Sequence, residues 1–436
     1  MKYTFLLVNV GGQLLSLAQR IKQEGYTIYM YVYPEMREHG LQTGVGILAD
    51  KEMVTDYYEI LNKIPKEELI ILVDDNGKGH EFDFLRKQGY MVVNGSAFAE
   101  KIEYDRSIGT QLMQKIGLAV PQTHSFDSIE KAIGFAEKQK EDIRFVFKPD
   151  GEDFAGSSRT YTAKNLRDLI DYMKFTKSEI DSHKITMESF DLQEFIEGEE
   201  ADFSAYFDGD KFMVGSTALD IEEKKSGDGN KGSATGCMGN IILYVNKSRY
   251  FDEYIKKLEP ILKKMGYVGQ ISINNIFSHK DGKPYGLEFT PRMGWDAQTT
   301  EMAILKSAGR NISDFYIALA TKKRFDFPYN RVGTGIRIYT SSVDADHTAI
   351  KGRFMSFSPK VKENLWFYNT SYTNDMYIIE NNPVMVVNYA DTSLQKSIDG
   401  AYEVLKNVNV PDIYYRMEIG KRAETVIRFL KKYQWL

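Results

Sequence analysis

The chain has 436 residues, more than one hydrophobic core usually organises, so roughly two to four compact units are expected. Its 42% apolar and 27% charged residues exclude the disordered class, and a formal net charge of −5 excludes a basic field for gripping nucleic acid, so any anion site must be local. The single cysteine, Cys237, excludes an intrachain disulfide framework and a cysteine-based zinc site, which fits a reducing, cytoplasmic setting.

Met1 to Asn9 reads as a strand that runs into Gly11-Gly12, without the charged start and long apolar stretch of a signal peptide. No run approaches the roughly 18 apolar residues that span a bilayer, so no membrane partner is expected. The first hundred residues alternate apolar strands with helical patterns, the signature of a parallel sheet with crossover helices. A helix carrying Leu14, Leu15, Leu17, Ala18 and Ile21 stops at Gly25, and Thr27 to Tyr33, Leu69 to Val73 and Tyr90 to Val93 follow as strands. After Asn94-Gly95-Ser96 comes an amphipathic helix with Ile108, Leu112, Met113 and Ile116, closed by Gly117. Asp127 to Glu130 has capping-box spacing for the next helix, which leads to the strand Ile143 to Lys148.

A helical stretch with Leu166, Leu169, Ile170 and Met173 precedes a strand within Met187 to Ile196. Ala201 to Phe207 and Phe212 to Ser216, around Asp208-Gly209-Asp210, read as an antiparallel hairpin. One long helix is expected from Tyr250 to Met265, ending at Gly266, and a second hairpin pairs Gln270 to Phe277 with Pro284 to Thr290. From about Arg331 the chain is strand-rich and closes with helices at Leu394 to Lys406 and Ala423 to Lys432.

Four segments can carry chemistry. Lys148 ends a strand whose Phe145 and Phe147 face one side, directly before the loop from Gly151 through Gly156, Ser157 and Ser158; a lysine there can reach phosphate while backbone N–H groups cradle it. Gln193-Glu194-Phe195-Ile196-Glu197-Gly198-Glu199-Glu200 places a short apolar strand before an acidic turn, as needed to read an adenine edge and take ribose hydroxyls; a solvated acidic loop is the plain alternative. Glu288 and Thr290 share one strand face, with Arg292 just beyond, an oxygen-rich arrangement that suits magnesium bridging phosphates, although a surface strand gives the same alternation. Lys224 to Gly239, with five glycines in the thirteen residues from Gly227 onward, lies between two strands, which favours a ligand loop over a tether.

Taken in order, these elements resemble glycinamide ribonucleotide synthetase (phosphoribosylamine–glycine ligase) of the ATP-grasp superfamily. The resemblance rests on Asn9-Val10-Gly11-Gly12, on Asn94 to Arg106, on Lys148 with its loop and on Phe195 to Glu200. It also rests on Gly227-Asp228 to Thr235-Gly236-Cys237-Met238-Gly239 and on the closing motif Tyr414 to Ala423. It implies a multidomain α/β (α+β) fold: an N-terminal parallel α/β domain at 1–100, a central ATP-grasp domain at 101–122 and 193–328, an ATP-grasp lid at 123–192 and a strand-rich C-terminal domain at 329–436.

The implied activity is an ADP-producing ligase that joins a carboxylate, such as an amino acid, to an amine through an acyl phosphate, with ATP and magnesium, or manganese in its place. The implied roles are ATP binding by Arg106, Lys148, Gly156, Ser157, Ser158, Glu194, Phe195, Ile196 and Glu200, and metal binding by Glu288 and Thr290. Substrate would meet Gly11, Gly12, Lys225, Asp228, Thr235, Gly236, Met238, Arg292 and Asp296, with Arg292 and Lys148 catalytic. The partners are small molecules, and the chain is expected to act as a monomer or homodimer. Thr290 stands where the family has an asparagine, Gln13, Leu14 and Leu15 replace the residues after the Gly-Gly loop, and Asn381-Asn382-Pro383-Val384 replaces a glycine-rich motif. A ligase with another acid or amine, and a non-catalytic ATP-binding homologue, are the competing readings.

Overall fold

The computed structural model describes residues 2–9, 12–33, 42–140, 142–149, 160–182, 187, 189–341 and 350–436; Gly11, Gly156, Ser157 and Ser158 lie outside them. The alternating apolar segments at the start form a parallel sheet of β1 (Thr4–Asn9), β2 (Thr27–Val32), β3 (Met53–Val54), β4 (Leu69–Val73) and β5 (Met91–Val93), in the order β3-β2-β1-β4-β5. Near-continuous apolar strands need cover on both sides. Leu15–Gln23 packs on the side of Phe5 and Leu7, while Tyr58–Lys63 and Gly79–Lys87 pack on the side of Leu6 and Val8. The strand order reverses between β1 and β4, and the loops that leave their carboxyl ends border the crevice such a reversal creates. Asp74 Oδ2 accepts from the Gln13 N–H at 3.2 Å, tying the two loops together.

The amphipathic stretch after Ser96 is two helices, Ala97–Tyr104 and Arg106–Lys115, not one. Asp105 has extended backbone and caps the second helix by accepting from Ile108 N–H, which breaks the run. Next, β6 (Thr123–Phe126), β7 (Phe145–Pro149), β8 (Tyr161–Thr162) and β9 (Phe190–Glu194) make a small antiparallel sheet, ordered β6-β9-β7-β8. Helices Ile129–Ala136 and Leu166–Asp181 cover it through a separate core that includes Ala132, Phe145, Phe147, Leu169 and Phe190. The N-cap of Ile129–Ala136 is Ser128, one residue after the expected Asp127, because the Ser128 hydroxyl reaches the Lys131 N–H.

A nine-stranded sheet dominates the rest. Its strands are β10 (Gly198–Phe207), β11 (Ala218–Glu222), β14 (Gly239–Tyr244), β15 (Gly269–Ser278), β16 (Pro284–Thr290), β17 (Val332–Thr340), β19 (Leu365–Phe367), β22 (Met385–Asp391) and β24 (Ile413–Tyr414). The order is β16-β15-β10-β11-β14-β17-β22-β19, with β24 paired to the end of β17, so the sheet runs on across residue 328. Between β11 and β14 the hairpin of β12 (Lys225–Gly227) and β13 (Lys231–Ala234) projects, and β18 (Arg353–Phe357), β20 (Thr370–Thr373), β21 (Met376–Ile379) and β23 (Val408–Asn409) form another small sheet.

Two sequence expectations are corrected here. Ala201–Phe207 does not pair with Phe212–Ser216: a single bridge joins Phe207 to Phe212, after which the chain turns at Gly215 (φ +85°) and Ser216 Oγ takes the Tyr206 N–H. The partners of β10 are β11 and β15 instead. The long helix over 250–265 is broken into Arg249–Glu253, a tight turn at Ile255–Leu258 and Glu259–Met265. Pro260 has no N–H to continue the ladder and its ring crowds the preceding turn, whereas Gly266 takes the expected left-handed cap at φ +67°.

Candidate active site

Strand alternation aims a row of polar side chains at one face of the large sheet. Across β16, β15, β10 and β11 the register sets Glu288 opposite Asn274, Asn274 opposite Asp202 and Asp202 opposite Asp220. Asn274 joins the first two strands: its Nδ2 donates to Glu288 Oε1 at 3.0 Å, and its Oδ1 accepts from the Thr290 hydroxyl at 3.4 Å. Glu288 and Thr290 therefore do share a face, and Phe289 between them is buried in the opposite core.

Lys224, in the link between β11 and β12, is a cation on this face. Its Nζ lies 2.6 Å from Glu200 Oε1 and 3.4 Å from Glu222 Oε2. Burial works against the Lys224 ammonium, but Glu200, Asp202, Glu222 and Glu288 together raise it well above its ordinary value. Burial alone would raise the Glu200 carboxyl; Lys224, Arg422 and Lys148 hold it below the usual range instead. Asp202 and Asp220 are pushed well above theirs by burial, with Lys224 opposing at Asp202 and Glu222 adding at both.

The small sheet supplies the opposing wall. Lys148 on β7 is lowered by burial, with Glu288 opposing and Arg106 and Lys224 repelling. Arg106, at the start of its helix, donates to the Pro149 carbonyl at 3.3 Å. Three cations thus reach one cleft alongside the carboxylates of Glu200, Glu222 and Glu288, a mixed set that suits a phosphate chain bound together with a divalent ion. At the end of β9, the Glu194 and Phe195 N–H groups donate to the Gln122 and Arg144 carbonyls at 2.8 Å, and the Arg144 guanidinium lies 3.9 Å from the Phe195 ring centre. Those two N–H groups, expected to read an adenine edge, are engaged within the protein.

Arg292 sits on the other side, at the crevice of the parallel sheet. It is held by Asp75 at 3.1 Å, beyond β4, and by Glu103 at 2.9 and 3.0 Å. Burial would lower the Arg292 guanidinium, but these carboxylates raise it. Gly12 lies across the same crevice, buried at φ +92°.

The remaining expected residues divide. Asp296 is wholly buried and paired with Arg337 at 2.7 Å, and the Met238 side chain is fully buried, so neither is exposed at the cleft. Lys225, Asp228, Thr235 and Gly236 lie in the projecting hairpin and the turn after it, where the Thr235 N–H and hydroxyl both bond the Lys224 carbonyl. Sequence reasoning missed Lys224, Asn274, Asp202, Glu222, Asp75 and Glu103. Alternation offered a signal for some of them, since Glu200 and Asp202, like Asp220 and Glu222, are two apart on one strand.

Among the described residues no group of three or more His, Cys, Asp and Glu side chains is arranged to hold a metal by itself. Glu288, Asn274 and Thr290 nevertheless present a carboxylate, an amide oxygen and a hydroxyl on one face. That set fits magnesium shared with phosphates, since this ion takes few protein ligands and keeps water and phosphate oxygens. No helix among the described residues is long and apolar enough to cross a membrane.

Comparison with known proteins places the fold among relatives. Residues 105–297 match the family model of the phosphoribosylglycinamide synthetase ATP-grasp (A) domain. A phosphoribosylamine–glycine ligase of Fusobacterium nucleatum is 24% identical, covering 95% of this chain and 97% of its own, and that of Streptococcus suis is 23% identical over 96% and 99%. Among solved structures, the phosphoribosylamine–glycine ligase of Thermotoga maritima superposes with a TM-score of 0.67 at 17% identity, over 95% of this chain and all of its own. The biotin carboxylase domain of Hydrogenobacter thermophilus 2-oxoglutarate carboxylase, in complex with MgADP, gives 0.64 at 15% identity, over 99% and 98%. Residues 105–297 thus match an ATP-grasp domain, and the chain is similar along nearly its whole length to the phosphoribosylamine–glycine ligases.

Proposed function

We propose that this ligase joins glycine to phosphoribosylamine with ATP. The terminal phosphoryl group passes to the carboxylate to give an acyl phosphate and ADP. The amine then attacks the acyl carbon, loses a proton and expels phosphate as the amide forms. The observation that carries the reading is the convergence of Lys148, Arg106 and Lys224 on one cleft that also holds Glu200 and Glu288, which sets cations for phosphate beside carboxylates for ribose and metal. Those cations would take the phosphates, Glu200 the ribose, and Glu288 with Asn274 and Thr290 a magnesium ion, whose contribution is to neutralise phosphate charge.

Arg292, already flanked by Asp75 and Glu103, is well placed to meet the acyl phosphate from the crevice side. Residues 123–192 act as a lid: their core is their own, so they can shift against the large sheet and exclude water from the acyl phosphate. The buried, single Cys237 suits a cytosolic setting. The test is ADP release from the purified chain with ATP, magnesium, glycine and phosphoribosylamine. ADP that depends on both substrates is the expected result. No ADP with this pair, but turnover with another acid or amine, would replace the substrates and keep the chemistry.

A further inference from the structure

We infer that Tyr414–Arg422 is a positioning clamp for the glycine-rich hairpin 225–236, with Glu418 and Arg416 as its working residues, an inference that rests on the ligase reading above. The hairpin has little conformational preference of its own. Gly229, Asn230 and Gly232 adopt φ of +68°, +56° and +81°, and its strands pair with an irregular register. In solution such a loop would sample many states. Instead, nearly two hundred residues further along the chain, one short segment bonds it repeatedly.

Glu418 Oε1 accepts from the Gly229 N–H at 2.5 Å and from Arg416 Nη2 at 2.7 Å. Arg416 Nη1 donates to the Lys225 carbonyl at 3.1 Å and to Asn230 Oδ1 at 3.2 Å. The Met417 N–H donates to Asp228 Oδ1 at 2.9 Å, and the Tyr414 hydroxyl to the Ser226 carbonyl at 2.9 Å. The Asp228 carboxylate, expected to touch substrate, therefore serves as an anchor of the loop.

The clamp is itself held at both ends. Tyr414 belongs to β24, paired with β17, and Tyr402 OH donates to the Arg416 carbonyl and accepts from the Ile419 N–H, both at 2.9 Å. Arg422 then donates to the carbonyls of Glu200 at 2.9 Å and Glu222 at 2.6 Å. A single segment thus fixes the hairpin relative to the strands that carry the cleft. Ordering the loop before substrate arrives removes that cost from binding, and loss of the clamp lowers apparent affinity by the fraction of chains still ordered.

The prediction concerns the non-nucleotide substrates. In the full chain, Glu418→Ala should raise KM for the acid and the amine about tenfold, leaving kcat and the KM for ATP within about twofold. Amide hydrogen exchange at 227–232 should speed up in the same variant without any substrate. Glu418→Gln, which retains a neutral acceptor for the Gly229 N–H, should recover most of both effects. Unchanged exchange with unchanged KM, or an equal rise in the KM for ATP, would overturn the clamp. If the unaltered chain turns over no tested pair, the substrate assignment falls while the exchange experiment still decides the clamp. Should Glu418→Ala unfold, Glu418→Gln and Arg416→Lys carry the same readouts.

Discussion

Lys148 carries the most testable charge in the cleft. Burial lowers its ammonium, Glu288 and Asp191 oppose that, and Arg106 and Lys224 add to it, so an anion placed beside Lys148 would favour the charged form. Lys148→Ala should remove a charge-assisted hydrogen bond of about 1.5–3 kcal/mol, weakening nucleotide binding by about 10- to 100-fold. The thermal shift produced by ATP with magnesium should shrink accordingly; an undiminished shift takes Lys148 out of the nucleotide site. At Thr290 the hydroxyl reaches Asn274 Oδ1, a bond that an asparagine side-chain N–H could also make while adding an amide oxygen. Thr290→Asn should therefore hold or raise activity at limiting magnesium. A fall of about tenfold or more in kcat/KM would mean that the hydroxyl serves another purpose.

At the scale of elements, helix Trp295–Ser307 seals the polar face of the large sheet below the cleft. The Thr300 hydroxyl lies 2.9 Å from Asn240 Oδ1 and 2.7 Å from Asn388 Oδ1, which requires a strand without side chains at Gly335. A Cβ on Gly335 would come within 2.6 Å of Asn240 Oδ1 and closer still to Thr300 Oγ1. Gly335→Ala should cost about 1–3 kcal/mol through overpacking and displaced buried hydrogen bonds, seen as a lower denaturation midpoint at unchanged m-value.

At the position after Thr300 in this helix, Glu301 accepts from the Tyr206 and Tyr244 hydroxyls at 2.7 and 3.3 Å and from Gln270 at 3.0 Å, yet burial still pushes its carboxyl up to about 7. The folded chain holds this proton more tightly than the unfolded chain does. Stability is therefore fullest at acid pH and falls as pH rises from about 4.5 to about 7, by about 3 kcal/mol, then levels off. Glu301→Gln should remove that fall, which urea denaturation at pH 5 and pH 8 would show; an unchanged pH dependence places the titration elsewhere.

Over the whole molecule, order along the chain and order in space differ, and that difference separates what could be read early from what could not. The parallel sheet, the β15–β16 hairpin, the Gly266 cap and the shared face of Glu288 and Thr290 were legible from Phe5 to Thr290, because alternation, glycine placement and helical period are local properties. So was the run of motifs behind the ATP-grasp resemblance, which the family model at 105–297 supports. The break at Pro260 was local too, but the periodic pattern on both sides concealed it.

Other features needed the fold. Arg292 meets Asp75 and Glu103, Asp296 is taken by Arg337, and the hairpin is fastened by Arg416 and Glu418, all across long separations in sequence. By itself the sequence determined most of the elements, the glycine-bearing turns and the order of the charged segments along the chain. Tertiary structure alone decided which of those charges face one another, and put Lys224 and Asn274 at the centre of the cleft. The physical reason is that strand alternation says which residues share a face, whereas register and packing across the sheet set what that face meets.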